Sequence, residues 1–231
     1  MGPTFYGVGT GPGDPQLLTL RALAILQKVD VIAAPRTKGK NTLALDIVAQ
    51  AMDVSDKEIL YLDFPMKRNE EERRAAQEEN LHLILRSLRR EKSVAMLTLG
   101  DASMFSNISY FVDSIHSEGF KVDLVPGVTS FCAAAARLKT SLTQRDLPLH
   151  IIPAGAMDLD AALRLPGSKV LMKPTLPMQK IRDSLKKGGV LSETKLAENV
   201  TLPGERLIFS METFEEETGY FTTLLVPAGK E

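Results

Sequence analysis

The sequence holds a single cysteine, Cys132, so no disulfide can form within the chain and a fold stapled by cross-links is excluded. Its three histidines, His82, His116 and His150, stand apart, and no His/Cys cluster has metal-ligand spacing, so no metal site is expected. No apolar run approaches the length of a bilayer span. The opening residues Met1-Gly2-Pro3-Thr4-Phe5 lack the basic and apolar regions of a secretory signal. The expectation is a soluble, cytoplasmic protein without membrane partners. Net charge is also scarce: 28 Lys and Arg stand against 29 Asp and Glu, a formal −1, which removes any global pull toward nucleic acid. Neither a Walker A phosphate loop nor a G-x-S-x-G nucleophile elbow occurs.

What is present is a regular alternation. The 231 residues, 44% hydrophobic, can form one large domain or two small ones with a substantial core. Apolar runs at 5–8, 31–34, 59–62, 93–99 and 121–125 read as strands. Helical spacing follows each of the first four: Thr19 can cap a helix to about residue 27, Asn41 or Thr42 one to about 51, Asn69 a charged one to about 90, and another covers 107–118. Strands alternating with helices predict a mostly parallel, five-stranded sheet with helices on both faces. Pro126-Gly127 is the expected boundary, giving domains at 1–125 and 126–231. The second half opens with a small-residue helix at 130–138. Runs at 150–153, 169–172, 190–196, 206–209 and 220–226 read as strands, with fewer helices, which predicts a mixed sheet.

Three glycine-bearing loops leave these strands. Gly9-Thr10-Gly11-Pro12-Gly13 fails the G-x-G-x-x-G fingerprint, because its third glycine position falls on Pro12 or Asp14. Pro12 removes an amide that a phosphate would use, and Asp14 adds a negative charge. The loop is therefore shaped for backbone approach to something uncharged or cationic. Gly100-Asp101 ends the fourth strand, where open parallel sheets bind ligands. Taken alone it is as much a turn, or a cap for the next helix, as a site. Pro126-Gly127-Val128-Thr129-Ser130 enters a helix with its amides available. Three such loops at strand ends could grip a small polar ligand.

Together the loops carry a resemblance. The run from Gly7 through Gly9-Thr10-Gly11-Pro12-Gly13-Asp14-Pro15 to Leu23 closely resembles the opening signature of the tetrapyrrole (corrin/porphyrin) methylases. Gly100-Asp101 stands where that family has a Gly-Asp-Pro loop, and residues 125–138 resemble its domain-junction loop. The likeness covers essentially the whole chain. Several stretches, notably Asp63-Phe64-Pro65-Met66 and residues 220–226, are most similar to the branch that methylates carbon 20 of precorrin-2 or cobalt-factor II, in cobalamin biosynthesis.

The resemblance implies two α/β domains with a cleft between them, a homodimer, and S-adenosylmethionine as methyl donor. By position, donor binding falls on Pro12, Gly100, Asp101, Ala102, Met104, Phe105, Ser130, Phe131 and Met172, with Val200, Thr201 and Leu202 against the adenine. The chain departs from the family at Ala102, usually proline, and at Phe105, commonly tyrosine. The tetrapyrrole carries acetate and propionate groups, for which Arg36, Lys38, Lys40 and Lys173 are the candidate partners. Direct methyl transfer from sulfonium to carbon needs alignment and water exclusion rather than a covalent intermediate. The methylated carbon must then lose a proton, and Asp101 is the first candidate base, with Tyr220 second and better suited to orienting the substrate. A methylase of the same fold with another tetrapyrrole position or diphthine as target, an RNA methyltransferase and a non-catalytic ligand-binding module remain alternatives.

Overall fold

The computed structural model describes residues 2–36, 42–64 and 69–229. The chain divides into two compact units, residues 1–129 and 130–231.

The first unit is a parallel sheet of five strands: β1 (Thr4–Gly9), β2 (Val31–Arg36), β3 (Glu58–Asp63), β4 (Val94–Thr98) and β5 (Lys121–Val125), in the order β3-β2-β4-β1-β5. Four helices alternate with them: α1 (Leu20–Lys28), α2 (Leu43–Ala51), α3 (Glu70–Leu88) and α4 (Ser109–Ser117). The central strands are apolar on both faces, as a doubly covered parallel sheet requires. Val8, Ile32, Ala34, Ala95 and Leu97 pack with Ala22 and Leu26 of α1 and Ala44 and Val48 of α2. The alternate residues Phe5, Val31, Ala33, Val94 and Met96 pack with Ile84 and Leu88 of α3 and Phe111 and Ile115 of α4. Period-2 alternation along each strand thus sorts the side chains into two cores.

Side-chain caps fix the starts of α1 and α3, whereas the Thr42 side chain makes no cap bond at the start of α2. The Thr19 hydroxyl accepts the Ala22 amide at 3.1 Å, and Asn69 accepts the Glu71 amide at 3.0 Å. Glu70, Glu71 and Glu72 open α3 and Arg86 lies in its last turn, matching the helix dipole. A polar α3 side chain also hydrogen-bonds to the sheet. Asn80, 2% exposed, accepts the Asp63 amide at 3.2 Å and donates to the Asp63 carbonyl at 2.9 Å. Replacing Asn80 with alanine leaves both backbone groups at the end of β3 short of a partner. It is expected to destabilise the fold by about 2 kcal/mol, read as a lower urea midpoint with an unchanged slope.

The second unit holds β6 (Leu149–Pro153), β7 (Ser168–Met172), β8 (Lys195–Glu198), β9 (Arg206–Ile208) and β10 (Thr222–Val226) in the order β6-β7-β10-β8-β9. Only β6 and β7 are parallel; β10 runs against β7 and β8, and β8 against β9. This is the mixed sheet expected. Its helices are α5 (Ser130–Arg137), α6 (Leu159–Leu163) and α7 (Met178–Lys187). α5 packs against β10. Leu159 and Ala162 of α6 and Met178, Ile181 and Leu185 of α7 pack with Ile152, Leu171, Leu196 and Leu224.

The strand expected at 190–196 begins only at Lys195. Gly189, at φ +69°, ends α7 and turns Val190 back so that its amide reaches the Leu185 carbonyl at 3.0 Å. Val190 is buried as the hydrophobic contact of a helix end rather than as a strand residue. The last strand likewise starts at Thr222, two residues later than expected.

Candidate functional site

In the first sheet β1 and β4 are neighbours, yet the chain leaves β1 for β2 on one side and leaves β4 for β5 on the other. Their carboxyl ends therefore flank a topological switch point, the place where open α/β sheets hold ligands. The three glycine loops of the sequence meet there.

They meet through backbone. The Thr10 amide donates to the Thr98 carbonyl at 2.9 Å, and Gly11 and Gly100 exchange amide–carbonyl bonds of 3.1 and 2.8 Å. Gly100 adopts φ +77°, a left-handed conformation that glycine enters without penalty. Gly127 lies against both loops. A Cβ there would sit 2.2 Å from the Gly100 carbonyl oxygen and 2.9 Å from the Gly9 Cα. Three main chains approach so closely that no side chain fits between them.

Asp101 closes the knot. One carboxylate oxygen accepts the Ser103 amide at 2.8 Å and the Ser103 hydroxyl at 2.6 Å. The other accepts the Gly127 amide at 2.8 Å. Burial pushes the Asp101 pKa up, but the Ser103 hydroxyl and the amides of Gly127, Ser103 and Ala102 together outweigh it, so the pKa is held below the ordinary aspartate value. A carboxylate bonded in this way is a weak base and a strong clasp. Nor does Asp101 cap α4: that helix has no side-chain cap, and just before it the Ser106 hydroxyl accepts the Ile108 amide at 3.1 Å.

The same geometry explains the departure at residue 102. The Ala102 methyl is buried in the core with Ile108 and Phe111. The Asp101-to-Ser103 turn fixes the loop conformation that a proline would otherwise restrict. Pro12 is buried in the first loop, Met104 is half-buried, and Phe105 stands exposed at φ +50°.

Arg36, the last residue of β2, forms a two-bond ion pair with Asp63 of β3 at 2.6 and 2.8 Å, with its guanidinium 5.3 Å from the Tyr61 ring centre. Asp63 holds the Arg36 pKa up, and Arg36 holds that of Asp63 down. Lys38 and Lys40 lie outside the described residues.

The second unit carries its own cluster at one end of its sheet. Met172 is buried at the end of β7, and its carbonyl accepts the Ala154 amide at 2.7 Å. Lys173 follows at φ +51°, its ammonium 5.6 Å from the centre of the Tyr220 ring, which in turn meets Phe221 edge-on at 5.5 Å. Tyr220 is about half exposed. Ser130 and Phe131 open α5; Phe131 is buried. Val200 is buried and Thr201 and Leu202 half-buried, in a turn after β8.

That turn is strained. Asn199 and Thr201 adopt φ of +49° and +62°. For a β-branched residue the left-handed region is an outlier, costing on the order of 1–3 kcal/mol. The Glu205 carboxylate accepts the Thr201 amide at 2.9 Å and is itself paired with Arg137, whose Nε lies 3.1 Å from each oxygen. Arg137, and to a smaller extent the Thr201 amide, holds the Glu205 pKa down.

Ser103, Gly127, Arg137 and Glu205 were not singled out as polar partners from sequence. Only Ser103 had a local signal, an Asp followed two residues later by a serine.

The residues of the knot share one chemical property. Residues 9–15, 98–106 and 125–131 include no lysine or arginine, but carry Asp14 and Asp101. A switch-point site with backbone groups, a fixed carboxylate and no cation does not suit a nucleotide phosphate; it suits a ligand without phosphates and with a positive centre. A group-transfer donor with a cationic centre and no phosphate has this chemistry. Residues 4–214 match the family model of the Tetrapyrrole (Corrin/Porphyrin) Methylases, and the chain belongs to that family.

Among its relatives, the Cobalt-precorrin-2 C(20)-methyltransferase of Salmonella typhimurium is 33% identical over 98% of this chain and 97% of its own. The Probable cobalt-precorrin-2 C(20)-methyltransferase of Methanocaldococcus jannaschii is 37% identical over 73% of this chain and 71% of its own. A crystal structure of Uroporphyrin-III C-methyl transferase from Thermus thermophilus, complexed with S-adenyl homocysteine, superposes with a TM-score of 0.70 at 25% identity, covering 98% of this chain and 92% of that one.

Proposed function

We propose that the protein is an S-adenosylmethionine-dependent C-methyltransferase that methylates carbon 20 of cobalt-factor II or precorrin-2 in cobalamin biosynthesis. The observation that carries this reading is the near-full-length identity to the Salmonella typhimurium C(20)-methyltransferase. The names of both curated relatives favour the cobalt-loaded macrocycle over the metal-free one.

The chemistry of the knot fits the donor, since its sulfonium is cationic and its adenosine carries no phosphate. Bound S-adenosylmethionine supplies an electrophilic methyl group. Pro12 and the backbone of Gly100, Asp101, Ala102, Met104 and Phe105 hold it in the first unit. Ser130, Phe131, Met172 and the Val200-Thr201-Leu202 turn do so in the second. Asp101 acts here as the group that keeps two loops in register. With its pKa lowered, it contributes little as a proton acceptor.

Tyr220 offers a flat exposed face, and Lys173 beside it a cation for an acetate or propionate group. Arg36 keeps guanidinium donors beyond the two that Asp63 occupies, and serves the same purpose with Lys38 and Lys40. The chain works as a homodimer in the cytoplasm. Among the described residues no helix is long and apolar enough to cross a membrane.

The test is turnover with a methyl-labelled donor and the cobalt-loaded and metal-free substrates side by side, followed by mapping of the label by NMR. The expected outcome is label on carbon 20, with the cobalt-loaded substrate favoured by about tenfold or more in kcat/KM. Label on carbon 11 or 17 would overturn the assignment.

A further inference from the structure

Two of the segments proposed to hold the donor, the amino end of α5 and the turn at 199–202, are far apart in sequence. One polar link joins the second to the far end of the first. Arg137 is the last residue of α5, and its guanidinium pairs with the Glu205 carboxylate, whose Oε1 accepts the Thr201 amide. The turn also has bonds of its own. The Leu202 amide donates to the Asn199 carbonyl at 2.8 Å, the Glu205 amide to the Leu202 carbonyl at 3.1 Å, and the Asn199 amide to Phe221 at 2.9 Å. These tie the turn's root and its exit. The carboxylate engages the residue at the turn's apex, the β-branched one at φ +62°.

Such a conformation persists only where its surroundings over-determine it. Here the surroundings include a side chain that spends its charge on one backbone amide and one guanidinium. The Glu205 side chain is 17% exposed and that of Arg137 53%, so the carboxylate is the shielded partner. A surface ion pair with no duty would contribute little to stability. This one takes in a backbone amide as well, that of Thr201 at the apex of the turn.

We propose that Arg137 and Glu205 are positioning residues for donor binding: their ion pair holds the Val200-Thr201-Leu202 turn in its left-handed form and sets it against α5, so that the backbone is ready to receive the adenosine portion. The inference deepens the methyltransferase reading and rests on it. Neither residue touches the reacting atoms, so its loss acts on donor affinity more than on the chemical step.

The experiment is calorimetric titration of the full-length protein with S-adenosylhomocysteine, below the thermal transition of each variant, together with steady-state kinetics in both substrates. Glu205→Ala and Arg137→Gln are each expected to raise the S-adenosylhomocysteine Kd and the KM for S-adenosylmethionine by about tenfold, the scale of one charge-assisted hydrogen bond. The KM for the tetrapyrrole stays within about twofold. Glu205→Gln, which keeps an acceptor for the Thr201 amide, falls between. Thr201→Gly added to Glu205→Ala recovers most of the affinity, because glycine adopts the left-handed conformation without help. A general packing role would not be relieved by a change at Thr201.

Wild-type affinity in a folded Glu205→Ala or Arg137→Gln protein would overturn the positioning role alone. So would a double variant no better than Glu205→Ala. If Glu205→Ala does not fold, Arg137→Gln carries the same comparison. A wild-type protein that binds no S-adenosylhomocysteine overturns the donor reading itself, and this role with it.

Discussion

A Gly127→Ala protein is expected to be less stable than the wild type by about 3 kcal/mol or more, and to bind S-adenosylhomocysteine at least about tenfold more weakly. The added methyl would lie 2.2 Å from the Gly100 carbonyl oxygen and 2.9 Å from the Gly9 Cα. Both neighbours are backbone, on two different loops, so no side chain can swing aside to make room. The junction loop must back away, which breaks the bond from the Gly127 amide to Asp101 and leaves polar groups unmade in a half-buried place. For a chain of this size the loss corresponds to a fall in Tm of roughly 6–12 °C. Gly2→Ala is the control, since nothing lies within 4 Å of the methyl it adds. Scanning calorimetry and titration of the same samples read both effects. A Tm within a degree of wild type would show that the three loops are not packed as described.

The second large effect separates clasp from base at Asp101. If this carboxylate removed the proton, Asp101→Asn would lower kcat by about 10²–10⁴-fold with donor affinity intact. The observed bonding predicts the opposite division. Asp101→Ala strands the amides of Gly127 and Ser103, costs about 2–3 kcal/mol, and raises the KM for S-adenosylmethionine by an order of magnitude or more. Asp101→Asn, which still offers one acceptor oxygen, keeps kcat within about tenfold of wild type.

The pH dependence has a definite sign. Because the folded pKa lies below the unfolded value, the bonds of the carboxylate add stability that is complete above the unfolded pKa of about 3.9. That stability is lost as pH falls from there through the lower folded value. Unfolding free energies near pH 7 and pH 3 should therefore converge between wild type and Asp101→Asn at the acid end. An acid limb in kcat, near neutral pH, that disappears in Asp101→Asn would sink the clasp assignment.

Much of the first unit could be read from sequence because its signals are local. Period-2 apolar strands, a capping threonine at Thr19 and a capping asparagine at Asn69 each act within a few residues. The glycines at 9, 100 and 127 were legible as loops at strand ends, and the family resemblance joined them. What held them together was not legible. The partner of Asp101 is an amide 26 positions away, and no pattern in either loop announces it.

In the second unit the failures have a different cause. Val190 and Leu191 look like the start of a strand, but the Gly188-Gly189 pair before them ends a helix, and the valine is buried as that helix's terminal contact. The strained turn was invisible for the opposite reason. Threonine gives no hint of a positive φ, and the Arg137–Glu205 pair that accompanies it spans 68 positions. Local chemistry predicts elements well, and long-range bonds to backbone amides hardly at all.

The order of strands has a consequence for how the chain comes to be made. β1 lies between β4 and β5, with Phe5 paired to Val94 and to Val122. β1 therefore leaves the ribosome with neither of its neighbours made, and the nearer of them follows about 90 residues later. At roughly 5–20 residues per second, that is several seconds or more during which Thr4–Gly9 has no sheet to join. The loops at the switch point can knit only after Gly127 has emerged. The knot proposed to hold the donor is thus among the last features of the first unit to form, and any ligand bound there favours the finished sheet over every partial one.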